Sequence, residues 1–214
     1  FIIFLPAVVA FILMLTTTKI EDVSNFAFVT TIITLILVMK IYLNFEPQGE
    51  MQFVTNVSWI TKYGINYYIG VDGFSLTILM LIAILIPTSY LLLWEGRTKG
   101  YWLNMLLIQT GVTGTLLSLD IILFYFFWET MLLPIFLIIG IYGTGNKVFS
   151  TIKVTVYTMA GSLLMFVAIV YLGVSFFNEY GHWSFQYDDL TTLSGLGANE
   201  KLYLFFAFFI AFMI

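Results

Sequence analysis

Cysteine is absent from the 214 residues, which removes disulfides, thiolate zinc sites and cysteine-ligated iron–sulfur clusters from consideration. Histidine occurs once, at His182, and a single imidazole cannot supply a pair of axial haem ligands, so no electron-carrying centre is expected in this chain. No G-x-x-x-x-G-K-[ST] loop and no H-E-x-x-H pair occurs, which leaves nucleotide hydrolysis and zinc proteolysis without support. Charge is scarce too: 9% of the residues are charged, and a net charge of −4 offers nothing to a nucleic acid.

Apolar side chains take the place of what is missing. Hydrophobic residues make up 61% of the chain and the mean hydropathy is +1.01, values a soluble domain cannot sustain. Runs of about 20 apolar residues recur, the length needed to cross a bilayer as a helix. The runs predict seven membrane segments, at 1–15, 23–43, 74–94, 101–119, 121–142, 148–173 and 202–214. Phe1 to Leu15 lacks the basic flank of a signal peptide, and the apolar run from Leu202 stops after 13 residues, so both end segments are expected to be parts of longer ones. The fold class expected is all-α: a single membrane domain over 1–214, a polytopic bundle with short links and two longer outer loops, 44–73 and 174–201.

Basic residues set the orientation. Lys19, Arg97, Lys99 and Lys147 fall in links on one side, the cytoplasmic or matrix side by the positive-inside rule. Asp72, Asp120, Asp188 and Asp189 then fall outside. Within 44–73, the stretch TNVSWITKYGINYYIGVDG carries β-branched and aromatic residues on both sides of Gly64, which predicts a small hairpin at the membrane surface. The loop 174–201, rich in Gly, Asp, Asn and Ser, is expected to hold little regular structure.

One residue stands against its surroundings. Glu129 lies within FYFFWETMLLPIFLIIG, nine residues from Asp120 and 13 from Tyr142, hence near mid-membrane at about 1.5 Å per residue. A central acid costs roughly 2.5 to 3.5 kcal/mol on insertion scales, which points to a polar partner, a water-filled path or a proton site. The bland alternative is a structural hydrogen bond to a neighbouring helix. Pro134, five residues on, removes an amide and frees the carbonyl of Thr130, which can hold a water. Tyr125 shares the Glu129 face and can donate a hydrogen bond to it. Lys153, one to two turns inside its segment with Tyr157 and Gly161 on the same face, is a possible relay at roughly 10 Å in height from Glu129, or else snorkels to the surface. Asp120 and Asp72 read as helix N-caps. Gly111 to Thr115 reads as a small-residue patch for close helix contact.

The runs LLSLDIILFYFFWETMLLPIFLIIGIYG, KVTVYTMAGSL, YYIGVDGFSL and FFIAFMI together resemble the antiporter-like membrane subunits of respiratory NADH:quinone oxidoreductase (complex I), the group called M in bacteria and 4 in mitochondria. The resemblance covers most of the chain in order, and its D-x-x-x-F-x-x-F-W-E-x-x-x-x-P pattern is specific, though a sister group of cation/proton antiporter subunits shares parts of it. It implies the N-terminal half of a subunit of about fourteen helices, in the inner membrane of a bacterium or, alternatively, of a mitochondrion. It assigns Glu129 as a proton relay, with Pro134 as a helix break and Lys153 as a further relay. The glutamate's partner in that family is a lysine expected immediately after Ile214. The partners implied are other membrane subunits of the complex, neighbouring antiporter-like subunits and lipids. Flavin, iron–sulfur clusters and quinone are expected in other subunits, and no cofactor or metal in this one. Three readings therefore compete: a proton-translocating subunit without a redox site, a subunit of a sodium/proton antiporter, and a purely structural membrane chain.

Overall fold

The computed structural model describes residues 1–16, 19–47, 51–92 and 98–214, so Arg97 and the end of the expected segment 74–94 lie outside the described residues. Among the described residues, helices stand where the seven apolar runs are: α1 (Phe4–Leu15), α2 (Ile20–Leu43), α3 (Gly73–Leu92), α4 (Lys99–Leu117), α5 (Ile121–Tyr142), α6 (Lys147–Tyr180) and, after a short α7 (Tyr187–Thr191), α8 (Ala198–Met213). Among the described residues, α2, α3, α5 and α6 are long and apolar enough to cross a membrane. Helix α4 falls below that mark because it carries Asn104, Gln109, Thr110 and Thr113, yet all four are buried. It is the inner helix of the bundle, packed against α1, α2, α3 and α5, so its polar groups face protein and not lipid.

The outer loop 44–73 contains the expected hairpin. Strands β1 (Gln52–Ile60) and β2 (Ile65–Val71) pair antiparallel, and the turn closes at Gly64 with φ +61°, a conformation that glycine takes without strain. The second outer loop is more ordered than its composition suggests. Helix α6 does not end near 173 but runs through Gly173 to Tyr180 and is capped by Gly181, at φ +77° in the left-handed position. At 34 residues it is about 50 Å long by the helical rise, longer than the roughly 30 Å of a bilayer's hydrocarbon.

Three apolar clusters hold the bundle. An outer one joins Ile3, Val38, Leu79, Ala83, Leu117, Leu123 and Phe127. An inner one joins Ala10, Leu13, Ala27, Tyr90, Trp102 and Leu106, with the Tyr90 and Trp102 rings stacked 4.6 Å apart. A third, with Met165, Ile169, Phe185 and Ala211, lies among α5, α6 and α8.

Candidate functional site

Asp120 sets the position of α5. Its Oδ1 accepts the amides of Ile122 (2.9 Å) and Leu123 (3.2 Å), which is the expected N-cap. Its Oδ2 accepts the amide of Asn66 in the hairpin at 2.9 Å, a tertiary bond that the sequence reading did not include. The carboxyl is fully buried; burial pushes its pKa up, opposed by the three amides. Around it the two outer loops are stitched together. Leu119 donates its amide to Tyr68 (2.8 Å), Ile121 to Phe185 (2.9 Å), and Tyr187 to Leu119 (2.9 Å).

On the inner side, Lys99 Nζ donates to the Thr16 carbonyl at 2.6 Å beyond the end of α1, and Lys147 Nζ to the Ile141 carbonyl at 2.9 Å in the last turn of α5. Cations at helix C-termini suit the dipole, and they lie at the end opposite Asp72 and Asp120.

Two turns below Asp120, Glu129 sits on the side of α5 turned away from α4. Positions Phe127 and Met131 meet α4 at Gly114 and Gly111, and Glu129 is two residues from either, about 200° round the helix. It therefore faces α6. Its Oε1 is buried without a hydrogen-bond partner among the described residues. The Tyr125 hydroxyl interacts with both Glu129 and Ser162 of α6, and its ring packs on Phe166 at 5.0 Å. Ser162 is 4% exposed and also donates to the Met159 carbonyl at 3.2 Å. The cluster is thus an acid, a phenol and a hydroxyl in an apolar surround. Ser162 does not stand out in the sequence, because α6 carries other hydroxyl residues, among them Thr151, Thr155 and Thr158; its place next to Gly161 was the available signal.

Gly161 brings α8 to the same place. A Cβ there would lie 3.3 Å from both the Ala211 carbonyl oxygen and Ile214 Cβ, so the end of α8 rests beside Ser162. Phe212 of α8 meets Trp128 edge-on at 5.5 Å. Above it a cleft of about 660 Å³, lined by Asp72, Ser118, Phe124, Tyr187 and Phe212, opens between the hairpin, α5, α6 and α8.

Pro134 is buried within α5, and the helix continues past it to Tyr142. Lys153 is exposed on α6 between Ile152 and Val156, about 13 Å along the axis from Ser162, so the structure does not bring it to Glu129. His182 is exposed in the outer loop.

A multi-pass helical membrane protein with an acid inside an apolar helix, its Oε1 buried and its neighbour Tyr125 reaching Ser162 of α6, is the class these features define. The family described as NADH:quinone oxidoreductase/Mrp antiporter, TM, matches residues 118–214, the part that carries Glu129 and Ser162. The chain is 35% identical over 194 residues to F(420)H(2) dehydrogenase subunit M of Methanosarcina mazei, covering 88% of this chain and 39% of that protein. It is 34% identical over 197 residues to NADH-quinone oxidoreductase subunit M of Rhodobacter capsulatus, covering 88% and 38%. Its fold matches a chain of respiratory complex I from Thermus thermophilus with a TM-score of 0.83 at 23% identity, over 99% of this chain and 42% of that one. The chain belongs to the antiporter-like family of membrane subunits found in NADH:quinone oxidoreductases and Mrp antiporters, and within it resembles those named M. It spans about two fifths of the length of the curated relatives it matches.

Proposed function

We propose that this chain is part of a proton-translocating membrane subunit of an NADH:quinone oxidoreductase-type complex, with Glu129 as the group that takes up and releases the proton. The observation that carries the reading is the buried Oε1 of Glu129, which has no hydrogen-bond partner among the described residues and lies near the Tyr125 hydroxyl in an apolar surround. Desolvation disfavours the ionised form of such a carboxyl and a nearby ammonium favours it, so a lysine that approaches and withdraws switches its proton affinity. The resemblance expects that lysine directly after Ile214, and α8 ends beside Ser162. Tyr125 orients the carboxyl, and Ser162 interacts in turn with the Tyr125 hydroxyl. The carbonyl of Thr130, left without a helical donor by Pro134, offers a place for water about one turn away. Lys153 serves, on this reading, as a further relay toward the inner side, reached through water and not by direct contact.

The chain itself has no redox role in this proposal. Flavin, iron–sulfur clusters and quinone belong to other subunits, and the other membrane subunits of the complex are its partners. In the whole complex, Glu129→Gln is expected to reduce protons moved per electron while the complex still assembles; unchanged pumping overturns the assignment. The family description also includes Mrp antiporters, which keeps a sodium/proton exchanger as the second reading. Sodium-dependent transport without NADH oxidation would favour it.

A further inference from the structure

A second polar site lies on the other side of the bundle. Helix α4 turns Gly111 and Gly114 toward α5, and Gln109, two residues before Gly111, faces the opposite way, in phase with Trp102. Gln109 is 1% exposed, and its Oε1 has no hydrogen-bond partner among the described residues. It stands in a layer of its own. On α2 the apolar clusters take Ala27 and Val38, and between these come Thr30, Thr31 and Thr34, all buried. On α4 the clusters take Leu106 and Leu117, the same interval apart, and between these come Gln109, Thr110 and Thr113. On α3 they take Ala83 and Tyr90, with buried Pro87 between.

Four of the five threonine hydroxyls in this layer have backbone acceptors. Thr30 donates to the Phe26 carbonyl at 2.7 Å, Thr31 to Phe28 at 2.7 Å, Thr34 to Thr30 at 2.9 Å and Thr110 to Leu106 at 3.2 Å. Backbone amides are committed within the helices. None of these groups, nor the Thr113 hydroxyl, donates to the Gln109 oxygen, which has no partner among the described residues. Pro87 has no amide, so the Ala83 carbonyl, which points along α3 toward it, lacks its helical donor as well. Tyr90 stacks on Trp102, and Ala83 and Gln109 each lie seven residues from those rings on helices that run in opposite directions. The two acceptors thus stand at about one height, where a water, which donates twice, can satisfy both.

We propose that Gln109 anchors a buried water in the layer between the two apolar clusters of α1 to α4, bridged to the Ala83 carbonyl. This site is separate from Glu129, because α5 stands between them. A map of the whole membrane complex at a resolution that shows ordered water tests it. Density within about 2.7 to 3.2 Å of the Gln109 amide, shared with the Ala83 carbonyl, is expected. Its absence, or a Gln109 amide bonded directly to a protein group, overturns the proposal. In a Gln109→Leu complex the density is expected to vanish, and density persisting unchanged would show that Gln109 is not its anchor.

Discussion

At the residue scale, the two aspartates at helix starts behave differently because one is buried and the other is not. Asp72 Oδ1 accepts the amide of Ser75 at 2.7 Å, and this bonding to Ser75 holds its carboxyl below the ordinary carboxylate range. A lowered folded value means a stabilising contribution that is present above the unfolded value and is lost as pH falls through the folded one. Asp72→Asn is therefore expected to flatten the acid limb of the stability profile below about pH 4, read from thermal unfolding across pH. Asp120 has both oxygens engaged, one by its own helix and one by the hairpin. An asparagine keeps the first acceptor but presents a donor to the Asn66 amide, so Asp120→Asn is expected to cost about 1 to 3 kcal/mol, measured as a lower unfolding midpoint. Tyr125→Phe removes the phenol that faces Glu129, and a partial fall in protons per electron, smaller than that of Glu129→Gln, is the expected result in the whole complex.

At the element scale, contact between α4 and α5 depends on two glycines. A Cβ at Gly111 would come within 2.6 Å of Met131 Cβ, and one at Gly114 would overlap the Phe127 ring, which is itself buried in the outer cluster. Overpacking of that kind costs typically about 1 to 3 kcal/mol, so Gly114→Ala should lower thermal stability and, by displacing α5, also impair pumping. The small-residue patch was legible in the sequence, but which helix it served was not. Helical periodicity tells which residues share a face, and only the neighbour's position tells what that face meets. The same limit explains Ser162. Its spacing within α6 was visible, while its approach to Tyr125 depends on how two helices distant in the sequence are placed.

At the scale of the whole molecule, the outer surface is a clasp. The hairpin, the link at 118–120 and the segment at 183–189 share hydrogen bonds, among them Leu119 to Tyr68 at 2.8 Å and Tyr68 to Asp188 at 3.1 Å, and Ser184 donates to Asp189 at 2.6 Å within the last of these. Gly64 is where the hairpin meets the segment after α6. A side chain there would strain a positive φ and overlap the Trp183 carbonyl. Gly64→Ala is expected to open the clasp, and faster limited proteolysis between 181 and 197 measures it, with the membrane helices left intact. The hairpin itself was legible from alternation and one glycine, whereas the extension of α6 and the presence of α7 were not, because polar composition describes solvation and not hydrogen bonding.

The membrane class and the singular place of Glu129 in an apolar run follow from the sequence alone, since both come from the cost of placing a given side chain in hydrocarbon. Which acid is tied to which hydroxyl, that Lys153 stands apart, and that Gln109 lies in a polar layer between two apolar ones were decided only by tertiary structure. The reason is physical. Transfer into a membrane is a property of a segment and sums along the chain, but a hydrogen bond at mid-depth needs two groups within about 3 Å, and only helix packing brings them there.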